Sequence, residues 1–193
     1  MTISPEQHAL AARRVAEAGL SGRVSVELRD YRDIQGQFDA VCSAEMIEAV
    51  GMRYWPVYFS VLARVLAPGG RAGLQAITMP HDRMLATRGT YTWIQKYIFP
   101  GGLIPSVTAM TEHARSAGLR VADRADFGTH YAETLRIWRD RFTAHAGEVR
   151  LLGFDEVFIR MWTFYLSYSE AGFRSGYLDV CQLTLEKLEK EAT

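Results

Sequence analysis

Phe38-Asp-Ala-Val-Cys-Ser43 is followed by an apolar pattern at helical spacing from Tyr54 to Leu66, by the turn Pro68-Gly69-Gly70, and by a second strand-like run from Arg71 to Ile77. Short apolar runs of this kind are typical of buried parallel strands. The proline and glycines predict a stop between the helix and the second strand. Strand, helix and strand in this order predict an α/β fold with a doubly wound sheet.

The residues before this unit predict a helix and a further strand. Ser4-Pro5-Glu6-Gln7 combines an N-cap residue, a proline at the first helical position and a glutamine at the third, so a capping box is expected to start a helix that runs to about Ala18. Val24 to Leu28 alternates like a strand. The fold usually holds its cofactor on a glycine-rich loop after the first strand. Because the sequence has no Gly-x-Gly, we expect that this strand and its loop are missing from it.

The second half of the sequence is richer in helices. The expected elements are short helices at 93–99 and 107–117, a strand at 119–127, long aromatic-rich helices at 131–145 and 155–175, a strand at 178–185, and a frayed tail at 186–193. No internal repeat or flexible linker divides the chain, so we expect a single domain over residues 1–193.

Composition excludes several classes of protein. The 22 Lys and Arg balance the 22 Asp and Glu, which argues against a nucleic-acid partner. Two cysteines, Cys42 and Cys181, make no disulfide framework, so a reducing cytoplasm is the expected compartment. Charged residues and glycines interrupt every long apolar stretch, which predicts a soluble chain or one attached to a membrane surface. The five histidines show no ligand spacing, and no metal site is expected.

Several unusual motifs occur in one order along almost the whole chain. They are Thr2-Ile-Ser-Pro-Glu-Gln7, Asp30-Tyr31-Arg-Asp33, Phe38-Asp-Ala-Val-Cys-Ser43, Met46-Ile-Glu-Ala-Val-Gly51, Tyr97-Ile-Phe-Pro-Gly-Gly102-Leu-Ile-Pro-Ser106, Phe127-Gly-Thr-His-Tyr131 and Glu170-Ala-Gly-Phe-Arg174. Together they resemble the cyclopropane-fatty-acyl-phospholipid synthase family, which includes the mycolic acid cyclopropane synthases.

The resemblance implies a class I S-adenosylmethionine (SAM) methyltransferase fold, a Rossmann-like doubly wound sheet with added helices in its C-terminal half. Thr2 would lie at the end of that fold's second strand, so the first strand, the glycine-rich SAM loop and a family cysteine would lie upstream. The implied activity is transfer of a methyl or methylene group from SAM to the cis double bond of unsaturated phospholipid acyl chains. The product would be a cyclopropane or methyl-branched fatty acid.

The resemblance also implies catalytic residues. A base must remove a proton after methyl transfer, and the family is understood to hold a bicarbonate ion for this step. Its ligands would be Glu48, Tyr131 and Gln75, with Ile77 alongside. The better-known members carry His where this chain has Gln75, and glutamine can donate a hydrogen bond but cannot carry a proton.

Other interpretations of these residues stay open. Glu48 is also typical of a carboxylate at a helix N-terminus, although its motif favours the functional role. Tyr131 fits a core aromatic with a bonded hydroxyl. For Gln75, a strand residue that bonds its neighbours is as good an interpretation as an anion ligand.

The cofactor residues also follow from the resemblance. Thr2, Ile3 and Gln7 would lie beside the ribose and methionine parts of SAM, and Asp30 and Tyr31 beside the adenine. Ser43 and Ala44 end a strand at the carboxyl edge of the sheet, where such folds bind ligands. A turn role for Asp30 and a capping role for Gln7 are the alternatives.

An aromatic stripe at helical spacing predicts core packing, and the resemblance adds a tunnel for an acyl chain. The stripe is Phe158, Met161, Trp162, Phe164, Tyr165, Tyr168 and Phe173. Three arginines interleaved with aromatic residues predict a solvated helix face, with contact to anionic headgroups at the inner membrane face as the alternative. They are Arg136, Arg139 and Arg141, beside Trp138 and Phe142.

Three functions remain open at this point. The chain is a lipid methyltransferase domain, a methyltransferase of the same fold that acts on another small acceptor, or a non-catalytic remnant. A narrow polar pocket would favour the second, and the missing glycine-rich loop speaks for the third. The lipid, the product and the oligomeric state do not follow from the sequence.

Overall fold

A computed structural model describes residues 1–188, and residues 189–193 lie outside the described part. Its sheet has four strands, which are β1 Phe38–Ala44, β2 Leu66–Thr78, β3 Leu119–Asp126 and β4 Asp179–Lys187. Their order is β1-β2-β4-β3, with β1 parallel to β2 and with β4 antiparallel to both of its neighbours. The carboxyl ends of β1 and β2 therefore meet at one edge of the sheet.

The described residues also form helices on both faces of the sheet. They are α1 Pro5–Glu17, α2 Ile47–Val50, α3 Trp55–Val65, α4 His81–Thr87, α5 Trp93–Tyr97, α6 Val107–Ser116, α7 Gly128–Ala144, α8 Ala146–Leu151 and α9 Glu156–Arg174. The α/β alternation and the helices and sheet strands expected from the sequence are confirmed to within a few residues. The expected frayed tail is wrong where β4 includes Glu186, whose carboxylate pairs with Arg71 and Arg120 on the neighbouring strands. The rest of that prediction from residue 189 onward lies outside the described residues.

Val24–Leu28 does not form the expected strand. A single parallel bridge joins Leu28 to Thr2, through hydrogen bonds from Thr2 N–H to Glu27 and from Arg29 N–H to Thr2. A strand needs a continuous partner for its backbone groups, and within the described residues this segment has only that one bridge. Val24 and Leu28 are consequently exposed.

Pro68-Gly69-Gly70 does not separate helix from strand as predicted. α3 ends at Val65, and β2 begins at once with Leu66. The glycines instead form an irregularity inside β2, because the register moves from Phe38 opposite Leu66 to Ala40 opposite Arg71. A Cβ on Gly70 would lie 3.0 Å from the carbonyl oxygens of both Ala67 and Asp39, so this close backbone approach requires glycine.

Two apolar cores lie on the two faces of the sheet. Trp55, Tyr58 and Phe59 of α3 pack with α6 and the strands in one core. Leu135 of α7 and Phe173 of α9 belong to the other. Side chains alternate between the two faces of a strand. In β4, Val180 therefore belongs to the second core and Cys181 to the first.

β1 is at the edge of the sheet and is mostly exposed, with Phe38 45% accessible. The prediction of a buried strand at 38–43 is therefore wrong in its burial, although the strand and its parallel pairing are confirmed. Among the described residues no strand pairs with the second edge of β1. An open edge leaves the side chains and half of the backbone groups in contact with water.

Candidate active site at the carboxyl end of the sheet

The residue that follows β1 has an unusual backbone. Ala44, the last residue of β1, lies opposite Gln75 on β2, and the N–H of Glu45 donates to the carbonyl of Gln75 at 2.9 Å. Glu45 has a φ of 50°, in the left-handed region that residues other than glycine rarely adopt. The chain therefore turns sharply at the sheet edge, immediately before α2.

The Glu45 carboxylate receives hydrogen bonds from two different elements. Gln75 Nε2 donates to its Oε1 at 3.1 Å, and the Tyr131 hydroxyl lies 3.1 Å and 3.3 Å from its two oxygens. Gln75 Oε1 in turn accepts from Gln182 Nε2 at 2.8 Å, across the β2–β4 pair. This second bond fixes which end of the Gln75 amide points to Glu45.

Glu48, one turn further along, has different surroundings. Its Oε1 accepts from the backbone N–H of Ile77 at 2.6 Å, and its Oε2 is buried without a hydrogen-bond partner. Burial raises the pKa of Glu48 to about 7, against the lowering effect of the Glu48 and Ile77 N–H groups. The charge of Glu45 adds to the increase. Near neutral pH this carboxyl group is therefore present in both protonation states.

The backbone of Glu48 also anchors the loop that follows α5. Its carbonyl accepts from the N–H of Leu103 at 2.9 Å. The neighbouring carbonyl of Gly102 accepts from Gln95 Nε2, also at 2.9 Å. The 97–106 motif is thereby held against the start of α2.

The first turn of α7 positions Tyr131. The N–H of Gly128 donates to Asp179 Oδ1 at 2.7 Å, and a Cβ at Gly128 would lie 2.6 Å from that oxygen, so the approach requires glycine. The ring of Tyr131 packs edge-on against Phe173 and Trp138, with centroids 5.0 Å and 6.3 Å away. Burial, and then the charge of Glu45, raise the pKa of Tyr131, so its hydroxyl remains a donor.

An open, mainly apolar cavity of about 370 Å³ adjoins this cluster. It is lined by Trp138, Arg141, Phe142, Trp162, Tyr165 and Leu166. Trp138 links it to Tyr131 by ring contact. Burial raises the pKa of Tyr165 in the cavity wall, and the charge of Glu45 adds to the increase.

The aromatic stripe of α9 lies partly in the core and partly at the surface. Of its seven members only Phe173 is fully buried, while Phe164 and Tyr168 are about half exposed, at 51% and 52%. Trp93 of α5 packs on Phe164 with ring centroids 4.8 Å apart. Trp162 and Tyr165 pack against the core that contains Phe173, so the expectation of core packing is confirmed for these three residues. It is wrong for Phe164 and Tyr168, which α9 presents to the surface.

The first residues of the chain form a separate polar group. Thr2 Oγ1 donates to Gln7 Oε1 at 2.8 Å, and Ser4 Oγ accepts from the N–H of Gln7 at 3.2 Å. The N-cap of α1 is thus confirmed, but the expected capping box is wrong, because Thr2 binds the Gln7 side chain. Ile3 is 76% exposed.

Asp30 and Tyr31 lie nearer to the end of β1. The Asp30 carboxylate accepts from the backbone N–H and the guanidinium of Arg32, and these bonds lower its pKa to about 2. Tyr31 packs edge-on against Tyr58 at 5.9 Å, and the Tyr58 hydroxyl donates to Ser43 Oγ at 2.7 Å. Tyr31 is therefore linked to Ser43 through Tyr58, and these residues together with the adjacent Asp30 are called the Asp30 group.

The sequence-derived site residues fall into three groups in the structure. Gln75 and Tyr131 meet on one carboxylate, and Glu48 meets Ile77 beside them. The Asp30 group lies next to Ala44, and the Thr2 group is connected to the segment around Leu28. Sequence reasoning missed Glu45. Its signal was a carboxylate directly after a strand at the sheet's carboxyl edge, three residues before Glu48.

The remaining charged candidates are paired or packed. Arg136 binds the exposed Glu133 and Asp140, in line with the solvated helix face expected, whereas Arg139 pairs with the buried Glu170 and departs from it. His113 and His81, two of the five histidines, make ordinary local contacts, with the Phe59 ring and with Ser106 Oγ respectively.

Across residues 1–188, no three His, Cys, Asp or Glu side chains gather as metal ligands, and no helix is long and apolar enough to cross a bilayer.

Solved structures define the class of fold. The structure matches mycolic acid cyclopropane synthase CmaA1 complexed with SAH and CTAB with a TM-score of 0.82 and 26% identity, over 96% of this chain and 68% of that one. The cyclopropane synthase MmaA2 from Mycobacterium tuberculosis gives the same TM-score at 25% identity, over the same shares of the two chains. The fold is that of the class I SAM-dependent methyltransferases.

Residues 1–183 match the family described as mycolic acid cyclopropane synthetase, and the chain belongs to this family. It is 60% identical over 186 residues to the tuberculostearic acid methyltransferase UfaA1 of Mycobacterium tuberculosis, covering 96% of this chain and 44% of that protein. It is 34% identical to the cyclopropane-fatty-acyl-phospholipid synthase of Escherichia coli strain K12, and the match covers 97% of this chain and 46% of that protein. The chain thus spans about half the length of these relatives.

Proposed function

We propose that residues 1–193 belong to the catalytic domain of a SAM-dependent lipid methyltransferase. The reaction is methyl or methylene transfer to the cis double bond of an unsaturated phospholipid acyl chain, with a cyclopropane or methyl-branched fatty acid as product. The observation that carries this proposal is the polar cluster of Glu45, Gln75 and Tyr131 beside an apolar cavity. An alkene is a poor nucleophile, so methyl transfer to it needs an apolar site that positions it and excludes water. The proton lost after methyl transfer needs a positioned base.

The acceptor class follows from the cavity and the relatives. Trp138, Phe142 and Trp162 offer an apolar wall suited to an acyl chain, which favours a lipid over a small polar acceptor. The two relatives named above are a tuberculostearic acid methyltransferase and a cyclopropane-fatty-acyl-phospholipid synthase, and both names denote work on fatty acyl chains. One name denotes methyl transfer and the other cyclopropane formation, so the experiment below distinguishes a branched product from a ring.

SAM is the methyl donor in this proposal, and it supplies an electrophilic methyl group when bound. The residues that would hold it are those at the sheet edge and on the first loops. Tyr31, packed on Tyr58, offers an aromatic surface for an adenine, and the ionised Asp30 offers hydrogen-bond acceptors. The remaining candidates are Thr2, Ile3, Gln7, Ser43 and Ala44.

A bicarbonate ion fits this chain poorly. The donors that the resemblance assigns to it are Gln75 and Tyr131, and both donate to the Glu45 carboxylate. The third group, Glu48, has one oxygen bonded to Ile77 and the other buried. We therefore derive no step through bicarbonate.

Access to phospholipids would take place at the inner face of the cytoplasmic membrane. Exposed apolar side chains cluster around the turn between α8 and α9, where Leu151 and Leu152 are 89% and 77% accessible and Phe154 and Val157 are also exposed. Patches of this kind are typical of surfaces that contact lipid or protein. We propose peripheral membrane contact there.

The test measures transfer from methyl-labelled SAM to vesicles of phospholipid with monounsaturated acyl chains. It uses the whole protein that contains this sequence, with vesicles of saturated lipid as the control. We expect label only in the unsaturated lipid, with proton NMR of the released fatty acid distinguishing ring from branch. Transfer to neither lipid would contradict the proposed function.

A further inference from the structure

We propose that the carboxylate of Glu45 is the base that removes the proton from the reacting substrate. It would stand in the place that the family resemblance gives to a bicarbonate ion. This inference rests on the proposed lipid methyl transfer and names a catalytic residue for it. It follows from the hydrogen bonds, backbone and accessibility of Glu45.

The hydrogen bonds of Glu45 are those of a built anion site. Two donors from separate elements, Gln75 Nε2 on β2 and the Tyr131 hydroxyl on α7, converge on its oxygens. Gln182 fixes the amide of Gln75 in the donating orientation. Bicarbonate would need the same donors, and a carboxylate presents the same pair of oxygens without binding an ion from solution.

The backbone of Glu45 supports a functional role. A φ of 50° is uncommon for a residue with a side chain, and such conformations are kept where the surroundings fix them, often at active sites. Glycine would adopt this backbone more easily. The chain instead carries a glutamate there, and its carboxylate reaches the two donors.

Glu48, three residues away, is less accessible to a substrate proton, although burial raises its pKa to about 7. Its Oε1 is occupied by the N–H of Ile77, and its Oε2 is buried. A base must also return its proton to solvent after each turnover. Glu45 is exposed and can do so, whereas Glu48 is only partly exposed and its unbonded Oε2 is buried.

The proton transfer balances without any further reactant. The π electrons of the alkene form a bond to the methyl carbon, the sulfur keeps the electrons of the broken carbon–sulfur bond, and the substrate becomes a carbocation. A C–H bond of the transferred methyl group then breaks. Its electron pair closes the third carbon–carbon bond of the ring, and the proton goes to Glu45. For a methylene branch, a hydride first moves from the methylated carbon to the cationic carbon, and the electron pair of the broken C–H bond then forms the double bond to the methylated carbon.

The first test measures binding of ¹³C-labelled bicarbonate by NMR, and it requires no turnover. The variants are Glu45→Gly, which suits the left-handed backbone and frees both donors, and Glu112→Gln, an exposed carboxylate on α6, as the matched control. We expect no saturable binding at this site to the wild type or to Glu112→Gln, and saturable binding to Glu45→Gly that a further Tyr131→Phe substitution weakens. Wild-type binding that Tyr131→Phe weakens, or no binding to Glu45→Gly, would overturn the proposal.

The second test measures turnover with unsaturated phospholipid vesicles. We expect Glu45→Gly to lose activity by about a hundredfold or more, and added formate to restore part of it, since a small carboxylate can occupy the freed site. Unchanged activity of Glu45→Gly without added anion would overturn the proposal. If the wild type itself transfers no methyl group, the proposed function fails, and the bicarbonate-binding result still decides whether Glu45 occupies an anion site.

Discussion

The turn after β1 and the helix that follows it place two carboxylates in opposite surroundings. Glu45, in the turn, is exposed and has both oxygens within hydrogen-bond distance of donors from other elements. Glu48, in α2, has one oxygen bonded to the backbone of β2 and the other buried and unpartnered. Two carboxylates three residues apart therefore differ in accessibility and in hydrogen bonding.

The difference shows how surroundings assign roles to chemically identical groups. An accessible carboxylate with positioned donors can accept a proton and release it to water. Burial raises the pKa of the Glu48 carboxylate to about 7, and this carboxylate bonds the N–H of Ile77, while the backbone carbonyl of Glu48 holds the 97–106 loop. We therefore assign proton removal to Glu45 and positioning to Glu48.

The largest effect is expected from Glu45→Gln. The amide keeps the size of the side chain but cannot take a proton, so turnover should fall by roughly a factor of 10² to 10⁴. SAM affinity should stay within about twofold, measured by calorimetry, because the base acts on the lipid. Activity close to that of the wild type would show that Glu45 is only a bonded surface residue.

A smaller effect is expected from Glu48→Gln and from Tyr131→Phe. Each removes a group that positions the cluster, and turnover should fall by roughly ten to a thousandfold. Tyr131→Phe removes one of the two donors that hold the Glu45 carboxylate in place, whereas Glu48→Gln leaves both donors intact. If Glu48→Gln reduced turnover more than Glu45→Gln, the roles of the two carboxylates would have to be exchanged.

Position 75 sharpens the comparison further. Gln75→Leu removes the donor to Glu45 and leaves Gln182 without its partner, so turnover should fall severalfold or more. Gln75→His keeps one donor and should preserve most of the activity. The measurement is the steady-state turnover rate of both variants, compared with that of the wild type. Full activity in Gln75→Leu would make position 75 purely structural.

The smallest effect concerns stability. Burial raises the pKa of Glu48 from 4.5 to about 7, so its contribution is complete below about pH 4.5 and is lost as the pH rises through 7. The free energy of unfolding should therefore fall from about pH 5 to pH 8, with a slope of up to ~1.4 kcal/mol per pH unit from this group. Urea unfolding should show this slope in the wild type and lose it in Glu48→Gln. Parallel pH curves for the two proteins would contradict the assignment.

Most of the fold could be predicted from the sequence, because it depends on local periodicity. The runs that became α3 and α9 contain their own apolar spacing, and their bounds are within a few residues of those expected. Errors occurred where the structure depends on partners distant in sequence. Val24–Leu28 alternates like a strand, yet only one bridge pairs it, and Gly69 and Gly70 lie inside a strand.

The site could be predicted only in part for a related reason. Motifs identified Glu48, Gln75 and Tyr131, but hydrogen bonds between β1, β2 and α7 cannot be derived from spacing. Glu45 was missed because its importance depends on a left-handed backbone and on donors 30 and 86 residues away. A carboxylate immediately after a strand at the sheet's carboxyl edge is the pattern that would have indicated it.

The central claim, that Glu45 is a built-in base, is tested most directly by the anion requirement of turnover. The measurement compares the wild-type rate in buffer purged of carbon dioxide with the rate after bicarbonate is added back, with Glu45→Gly measured in parallel. We expect that the wild-type rate does not change, while Glu45→Gly is inactive in purged buffer and gains activity when bicarbonate is added. A wild-type rate that falls on purging and recovers with bicarbonate would contradict it.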